Sequence, residues 1–265
     1  MQPYILPLLL STLALANPIA DHVAIYDRAT TVVPGKVPET TPTGTACTAT
    51  NAVAVPISST EIAEAVAGCV GVVAADTNDT RNDILDGICK PFTLIFARGT
   101  GEDPNLGNLV GPPFVYALNA TFGASNVAVQ GVNNYAADDA GYCEGGSLTG
   151  SQDLASLIEQ TMHQCPRTKL CVSGYSQGAQ VVHNAFELLA SNTAATKFVN
   201  SVVLFGDPDN GLPVGNVPAY KVSTDCHAGD NICQDGETIL EPHLSYCHDV
   251  GVEAAFAKKR SLASW

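Results

Sequence analysis

From Asp83 onward the chain alternates short β-branched runs with stretches of helical periodicity, and that alternation leaves few folds open to it. Strands are expected at Phe92–Ala97, Val127–Val132, Lys169–Gly174, Ser201–Gly206 and Ala219–Thr224. Helices fit between them. One runs from about Pro113 to Phe122 and is ended by Gly123, and a second starts near Ser151 with Leu154, Leu157, Ile158 and Met162 on one face. A third follows Ser176 and turns Gly178, Val181, Val182, Ala185, Leu188 and Leu189 inward, and a last one covers Val250–Lys258. Apolar strands separated by helices belong to a parallel sheet covered on both faces. Five parallel strands joined by right-handed crossovers make a three-layer α/β/α sandwich, whose functional residues lie at the C-terminal ends of the strands.

The first third of the chain has a different character. Residues 1–16 run from Tyr4-Ile5-Leu6-Pro7-Leu8-Leu9-Leu10 into Ala14-Leu15-Ala16, the pattern of a secretory signal peptide, with Pro18-Ile19-Ala20 as a second cleavage point. This run is shorter than the ~20 apolar residues of a membrane span. Residues 17–82 are rich in Thr, Pro and Ala, the composition of a leader or pro-segment, with a small helix expected over 59–76 and Cys47 and Cys69 as a candidate bridge. Residues 83–265 form the folded domain. Nine cysteines without a Cys-x-x-Cys fit an oxidising compartment and not a zinc site, and sequons at Asn78 and Asn119 fit a secreted glycoprotein. A net charge of −14 argues against nucleic acid and anionic membrane as partners, and the protein is expected to be a soluble extracellular monomer.

Chemistry enters at Gly174-Tyr175-Ser176-Gln177-Gly178, a Gly-x-Ser-x-Gly set between a strand and a helix. A serine on so tight a turn projects its hydroxyl into a cleft, and the helix N-terminus behind it offers free N–H groups where an oxyanion would form. In enzymes built this way an acid and then a base follow the serine along the chain. Among the later histidines His183 is two helical turns from the elbow and His227 has too little chain before it, which leaves His243, with His248 as runner-up. For the acid, Asp207 and Asp209 come one strand early. Asp225 and Asp230 follow the last strand, and Asp230 sits inside the Cys226–Cys233 loop, short enough to be closed by a disulfide that would fix its carboxylate. The loop after the first strand, Ala97-Arg98-Gly99-Thr100-Gly101-Glu102, would supply Thr100 to an oxyanion hole shared with the N–H of Gln177. It lacks the Gly-Lys-Ser/Thr of a phosphate loop.

Phe96-Ala97-Arg98-Gly99-Thr100 with Glu102, Cys165-Pro166, Gly174-Tyr175-Ser176-Gln177-Gly178-Ala179, and Cys226-x6-Cys233 leading to Pro242-His243-Leu244 together resemble the fungal cutinases over about Cys89 to Ala257. The resemblance implies a lid-poor α/β hydrolase that cleaves carboxylic esters without metal or cofactor. It also implies a Ser176–Asp230–His243 triad, an oxyanion hole from Thr100 and Gln177, and disulfides Cys89–Cys165 and Cys226–Cys233. The related acetylxylan esterases share the elbow but lack the Pro-His-Leu sequence. The implied substrate is a plant-surface polyester or an acetylated polysaccharide; a non-catalytic secreted binding protein on the same fold is the alternative from another class. Two residues depart from the cutinase pattern. Thr100 stands where many cutinases have Ser, and Glu241 replaces an apolar residue of the rim. Of the remaining cysteines, Cys143 and Cys247 form a candidate pair and Cys171 is expected as a buried thiol.

Overall fold

The computed structural model describes residues 79–263. The signal peptide, the leader up to residue 78, the 59–76 helix, the Cys47–Cys69 bridge and the Asn78 sequon lie outside the described residues. Five strands, β1 (Phe92–Ala97), β2 (Val127–Gly131), β3 (Lys169–Tyr175), β4 (Val199–Phe205) and β5 (Val222–Asp225), form one sheet in the order β2-β1-β3-β4-β5, parallel throughout. Six α-helices connect or follow them: α1 (Gly111–Phe122), α2 (Asp139–Cys143), α3 (Leu148–Gln164), α4 (Gln177–Leu188), α5 (Thr193–Phe198) and α6 (Val250–Leu262). Among the described residues no helix is long and apolar enough to cross a membrane.

Side chains alternate across the sheet and feed two cores. Ile95, Ala97, Leu170, Val172, Val202 and Leu204 face α3, α4 and α5, whereas Leu94, Phe96, Cys171, Tyr175, Val203 and Phe205 face α1 and α6. Cys171 is the buried thiol the sequence suggested, its pKa pushed up to about 12 by burial, so it is chemically quiet.

Several boundaries move for local reasons. Pro112 and Pro113 stand in the first turn of α1, where a missing N–H does no harm, and Ser147 caps α3 by accepting from the Gly150 N–H at 3.2 Å, so both helices begin earlier than periodicity alone suggests. Two short helices escaped the periodic pattern. Each is set by its cap, Asp138 accepting from Gly141 N–H for α2 and Asn192 from Ala195 N–H for α5. Residues 219–221 form a 3₁₀ turn in place of the expected start of β5, because the Lys221 N–H bonds back to the Pro218 carbonyl. Leu188 is 46% exposed instead of buried; Phe186, wholly buried, fills the inner face.

Cys89–Cys165 ties the segment before β1 to the end of α3, and Cys226–Cys233 closes the loop after β5. Cys143 and Cys247 are also disulfide-bonded, but not to each other. Cys143 ends α2, which packs on α4, while Cys247 lies in a 3₁₀ turn packed on α6, the helix of the opposite layer. The chain just before residue 83 is also tied down: Asp79 and Arg81 offer their carbonyls to Leu106 and Gly131.

The Cys89–Cys165 bond spans 76 residues, so its removal frees a long loop in the unfolded chain. The Cys89→Ser/Cys165→Ser protein should lose about 2–4 kcal/mol, lowering Tm by roughly 5–15 °C in a thermal scan.

Candidate active site

The sheet order places a topological switch between β1 and β3, because the chain leaves β1 toward β2 on one side and returns to β3 on the other. Ligand sites in open parallel sheets form at such a point. Ala97 pairs with Gly174, so the Arg98–Glu102 loop and Tyr175–Ser176 emerge side by side.

Ser176 sits at φ 55°, ψ −124°, a backbone conformation that side-chain-bearing residues avoid and that persists only where neighbours enforce it. Its N–H bonds to the Phe205 carbonyl at 2.9 Å. A Cβ on Gly174 would run into the Gly178 carbonyl, and one on Gly178 into the Ala97 carbonyl. Both glycines of the motif are therefore required by close backbone approach. The turn leaves Ser176 as the cap of α4, next to the helix's unpaired N–H groups.

Asp230 and His243, from the loops after β5, meet in the interior at 0% and 1% exposure. His243 Nδ1 lies 2.8 Å from Asp230 Oδ2. A carboxylate only accepts, so the proton is on Nδ1 and the Nε2 lone pair is free to act as a base. Nε2 is buried and makes no hydrogen bond, to Ser176 included. Catalytic contacts of this kind often close only around substrate. Asp230 Oδ2 also accepts from the Tyr246 hydroxyl at 2.6 Å, and Oδ1 from the Ile232 N–H at 2.9 Å. Burial alone would raise the Asp230 pKa, but the bonds from His243, Tyr246 and Ile232 outweigh it and hold the carboxyl below its ordinary range.

The imidazole is held by rings. Tyr175 stacks on it at 5.0 Å between centroids and donates its hydroxyl to the His243 carbonyl at 2.9 Å. On the other side Gly206 gives it room, since a Cβ there would fall 2.7 Å from Cε1.

The loop after β1 is fixed by buried charge. Glu102 accepts from the Gly99, Asn108 and Leu109 N–H groups, each at 2.8 Å, and Arg98 donates to the Glu102 and Tyr135 carbonyls at 2.6 and 2.8 Å. Burial still pushes the Glu102 carboxyl up. Gln177 is wholly buried, and its Nε2 donates to the Asp138 carbonyl and to Thr100 Oγ1 at 2.8 Å. With that oxygen already accepting, the Thr100 hydroxyl proton is left to donate elsewhere.

Of the other candidates, His183 and His248 lie apart from this cluster, and His227 borders it without a hydrogen bond to Ser176 or to the Asp230 carboxylate. His183 pairs with Asp207 at 3.1 Å, His227 with Asp249 at 2.7 Å, and His248 is exposed. His183–Asp207–Asp209 and Asp225–His227–Asp249 bring ligand atoms within 4.8 Å of one another, and neither group includes Ser176, Asp230 or His243. Sequence reasoning passed over Tyr175, Gly206 and Tyr246 as site residues and gave Glu102 no task. The available signals were Tyr175 inside the Gly-x-Ser-x-Gly and Tyr246 three residues past His243.

A family model described as cutinase matches residues 88–261. The cutinase of Botryotinia fuckeliana is 52% identical over 171 residues, 64% of this chain and 83% of that protein. This chain belongs to the cutinase family. It is accordingly a carboxylic ester hydrolase with the cutinase-like α/β-hydrolase fold. The cutinase of Trichoderma reesei, solved in complex with a C11Y4 phosphonate inhibitor, is 40% identical with a TM-score of 0.64, covering 80% of this chain and 95% of that one. A solved acetylxylan esterase, 24% identical with a TM-score of 0.52 over 65% of this chain and 99% of that one, shares the cutinase fold alone.

Two outcomes follow from the buried carboxylates. Since the folded pKa of Asp230 is depressed, its stabilisation is present above the ordinary carboxylate value of about 3.9 and lost as pH falls through the lower folded value. Urea titrations should show the wild type more stable than Asp230→Asn by a constant margin above about pH 5, closing only below about pH 4. Glu102→Gln turns a donor toward backbone N–H groups that need an acceptor, and should lower stability by about 1–3 kcal/mol with a parallel fall in kcat.

Proposed function

We propose that Ser176 is the nucleophile of this ester hydrolase, His243 its base and Asp230 the acid that orients the base, with the Gln177 N–H and Thr100 forming the oxyanion hole. The observation that carries this reading is Ser176 in its φ 55° turn at the β1/β3 switch point, with the buried Asp230–His243 pair reaching the same end of the sheet. His243 Nε2 takes the proton from Ser176 Oγ as that oxygen bonds to the ester carbonyl carbon. The carbonyl oxygen, now an anion, accepts from the Gln177 N–H and from Thr100. As the C–O bond to the alcohol breaks, His243 returns the proton to the leaving group. Water then attacks the acyl-enzyme by the same route and frees the carboxylic acid.

The proposed substrate is a cutin-type polyester, met outside the cell. The cutinase relatives support it, as does Leu240, which is 44% exposed three residues before His243. The signal-like start and the Cys89–Cys165 and Cys226–Cys233 disulfides support secretion, with residues 17–82 read as a leader and 83–265 as the esterase unit. A second reading, deacetylation of a polysaccharide, is favoured by one residue: the carboxylate of Glu241 stands exposed beside Leu240 on the same rim.

Ser176→Ala should lower p-nitrophenyl butyrate hydrolysis at least a thousandfold, and a phosphonate should label the wild type at Ser176 and leave the variant unmodified. Wild-type rates in the Ala variant would remove the assignment. Release of hydroxy fatty acids from cutin, set against acetate from acetylated xylan, separates the two substrates.

A further inference from the structure

Tyr246 is fully buried, yet its hydroxyl lies at the meeting point of the two loops that carry the acid and the base. Its oxygen accepts from the His227 N–H at 3.0 Å, so its own proton is committed to Asp230 Oδ2, 2.6 Å away. That length is typical of a hydroxyl donating to a charged oxygen. Oδ2 is also the oxygen that receives His243 Nδ1. The nearby Cys233 sulfur, 3.5 Å from the hydroxyl, is in a disulfide and has no proton to compete with.

The ring is held as firmly as the hydroxyl. His227 stacks on it at 4.1 Å between centroids, and Phe205, Tyr175 and His243 meet it edge-on at 6.1 to 6.2 Å. His227 in turn clamps the loops together. Its Nε2 lies 2.7 Å from Asp249 Oδ2, and its Nδ1 lies 3.0 Å from the Pro242 carbonyl and 2.9 Å from Ser245 Oγ. The titratable groups facing Tyr246 are Asp230, His243, His227 and Tyr175, with Asp225 and Asp249 behind His227.

We propose that Tyr246 is a positioning residue of the ester hydrolysis, fixing Asp230 and sharing the oxygen that Asp230 offers to His243, so that it sets the pH range in which His243 serves as base. The inference rests on the assignment of His243 and Asp230 given above. A donor on Oδ2 draws negative charge from it and so weakens its hold on an imidazolium. His243 then stays neutral, and able to take the proton of Ser176, to lower pH than it would beside an unshared carboxylate. The tyrosine thus trades some stabilisation of the charged base for a wider acid range and a fixed carboxylate.

Tyr246→Phe keeps the ring and removes the shared proton. For p-nitrophenyl butyrate, kcat should fall about tenfold with KM within twofold, and the acid limb of the kcat/KM profile should move up by half a unit or more. Tyr220→Phe, at an exposed tyrosine, should change neither. A lowered Tm with the acid limb unmoved overturns the proposal and leaves Tyr246 a structural residue; an unchanged kcat and limb overturn it as well. Should the Phe protein fail to fold, 3-fluorotyrosine placed at 246 retains ring and hydroxyl while donating more strongly. The limb should then move down, and a stationary limb would count against the idea. Phosphonate labelling keeps the two levels apart: absence of label at wild-type Ser176 defeats the triad assignment, whereas normal labelling with an unmoved limb defeats only the role of Tyr246.

Discussion

The contact on which the site depends is between backbone and backbone, where Gly178 in the first turn of α4 lies against the Ala97 carbonyl at the end of β1. No side chain larger than hydrogen fits there. The contact joins the elbow to the loop that carries Thr100, and these are the two halves of the proposed oxyanion hole. An oxyanion site works when its donors are fixed before charge develops. Here the fixing comes from the paired β1 and β3 strands and from the Gln177 side chain, which holds the Thr100 hydroxyl and the Asp138 carbonyl with one nitrogen. The strain at Ser176 persists because those same contacts leave its backbone no other path.

Two carboxylates are buried near this point, and backbone N–H groups help to satisfy both. Glu102 collects three from its own loop, and Asp230 collects one from Ile232 beside its side-chain donors. A buried charge left unpaired would be far more costly than either loop could tolerate. The arrangement therefore works in both directions: the loops are shaped around the carboxylates, and the carboxylates are held by the loops. The difference lies in the outcome for each group. At Glu102 burial dominates and the carboxyl is pushed up, whereas at Asp230 His243 and Tyr246 prevail and it is pulled down. A residue that must remain charged opposite an imidazole needs the second balance.

The layered fold was legible in the sequence because burial on both faces leaves strands as short apolar runs, and because residues such as Leu154, Leu157 and Ile158 repeat at helical spacing. The proposed Ser176, Asp230 and His243 were read from chain order and from the Cys226–Cys233 loop, and the structure brings Asp230 and His243 to 2.8 Å of each other. What stayed hidden depends on a single cap or on a contact between loops. The helices α2 and α5 are too short to show a period and are set by Asp138 and Asn192. Tyr246 carried no signal in the sequence beyond its place three residues after His243. The role proposed for it depends on a contact between loops, with His227, nineteen residues earlier in the chain, lying on its ring.

The elbow and His243 are held by different kinds of structure. Ser176 is placed by a strand, a helix and two glycines, all of them regular backbone. His243 stands in a 3₁₀ turn between two loops, and regular hydrogen bonding contributes little to its position. Its place is set instead by the stack with Tyr175, the room at Gly206, and the polar chain from Asp249 through His227 and Tyr246 to Asp230. Loops are more mobile than the elements they connect, so a histidine proposed as base and carried on one needs such supports to hold its geometry within a fraction of an ångström. The Cys226–Cys233 bond lies in this half of the site. A short covalent loop is most useful where the backbone has no ladder of its own, and the elbow, embedded in the sheet, does not require one.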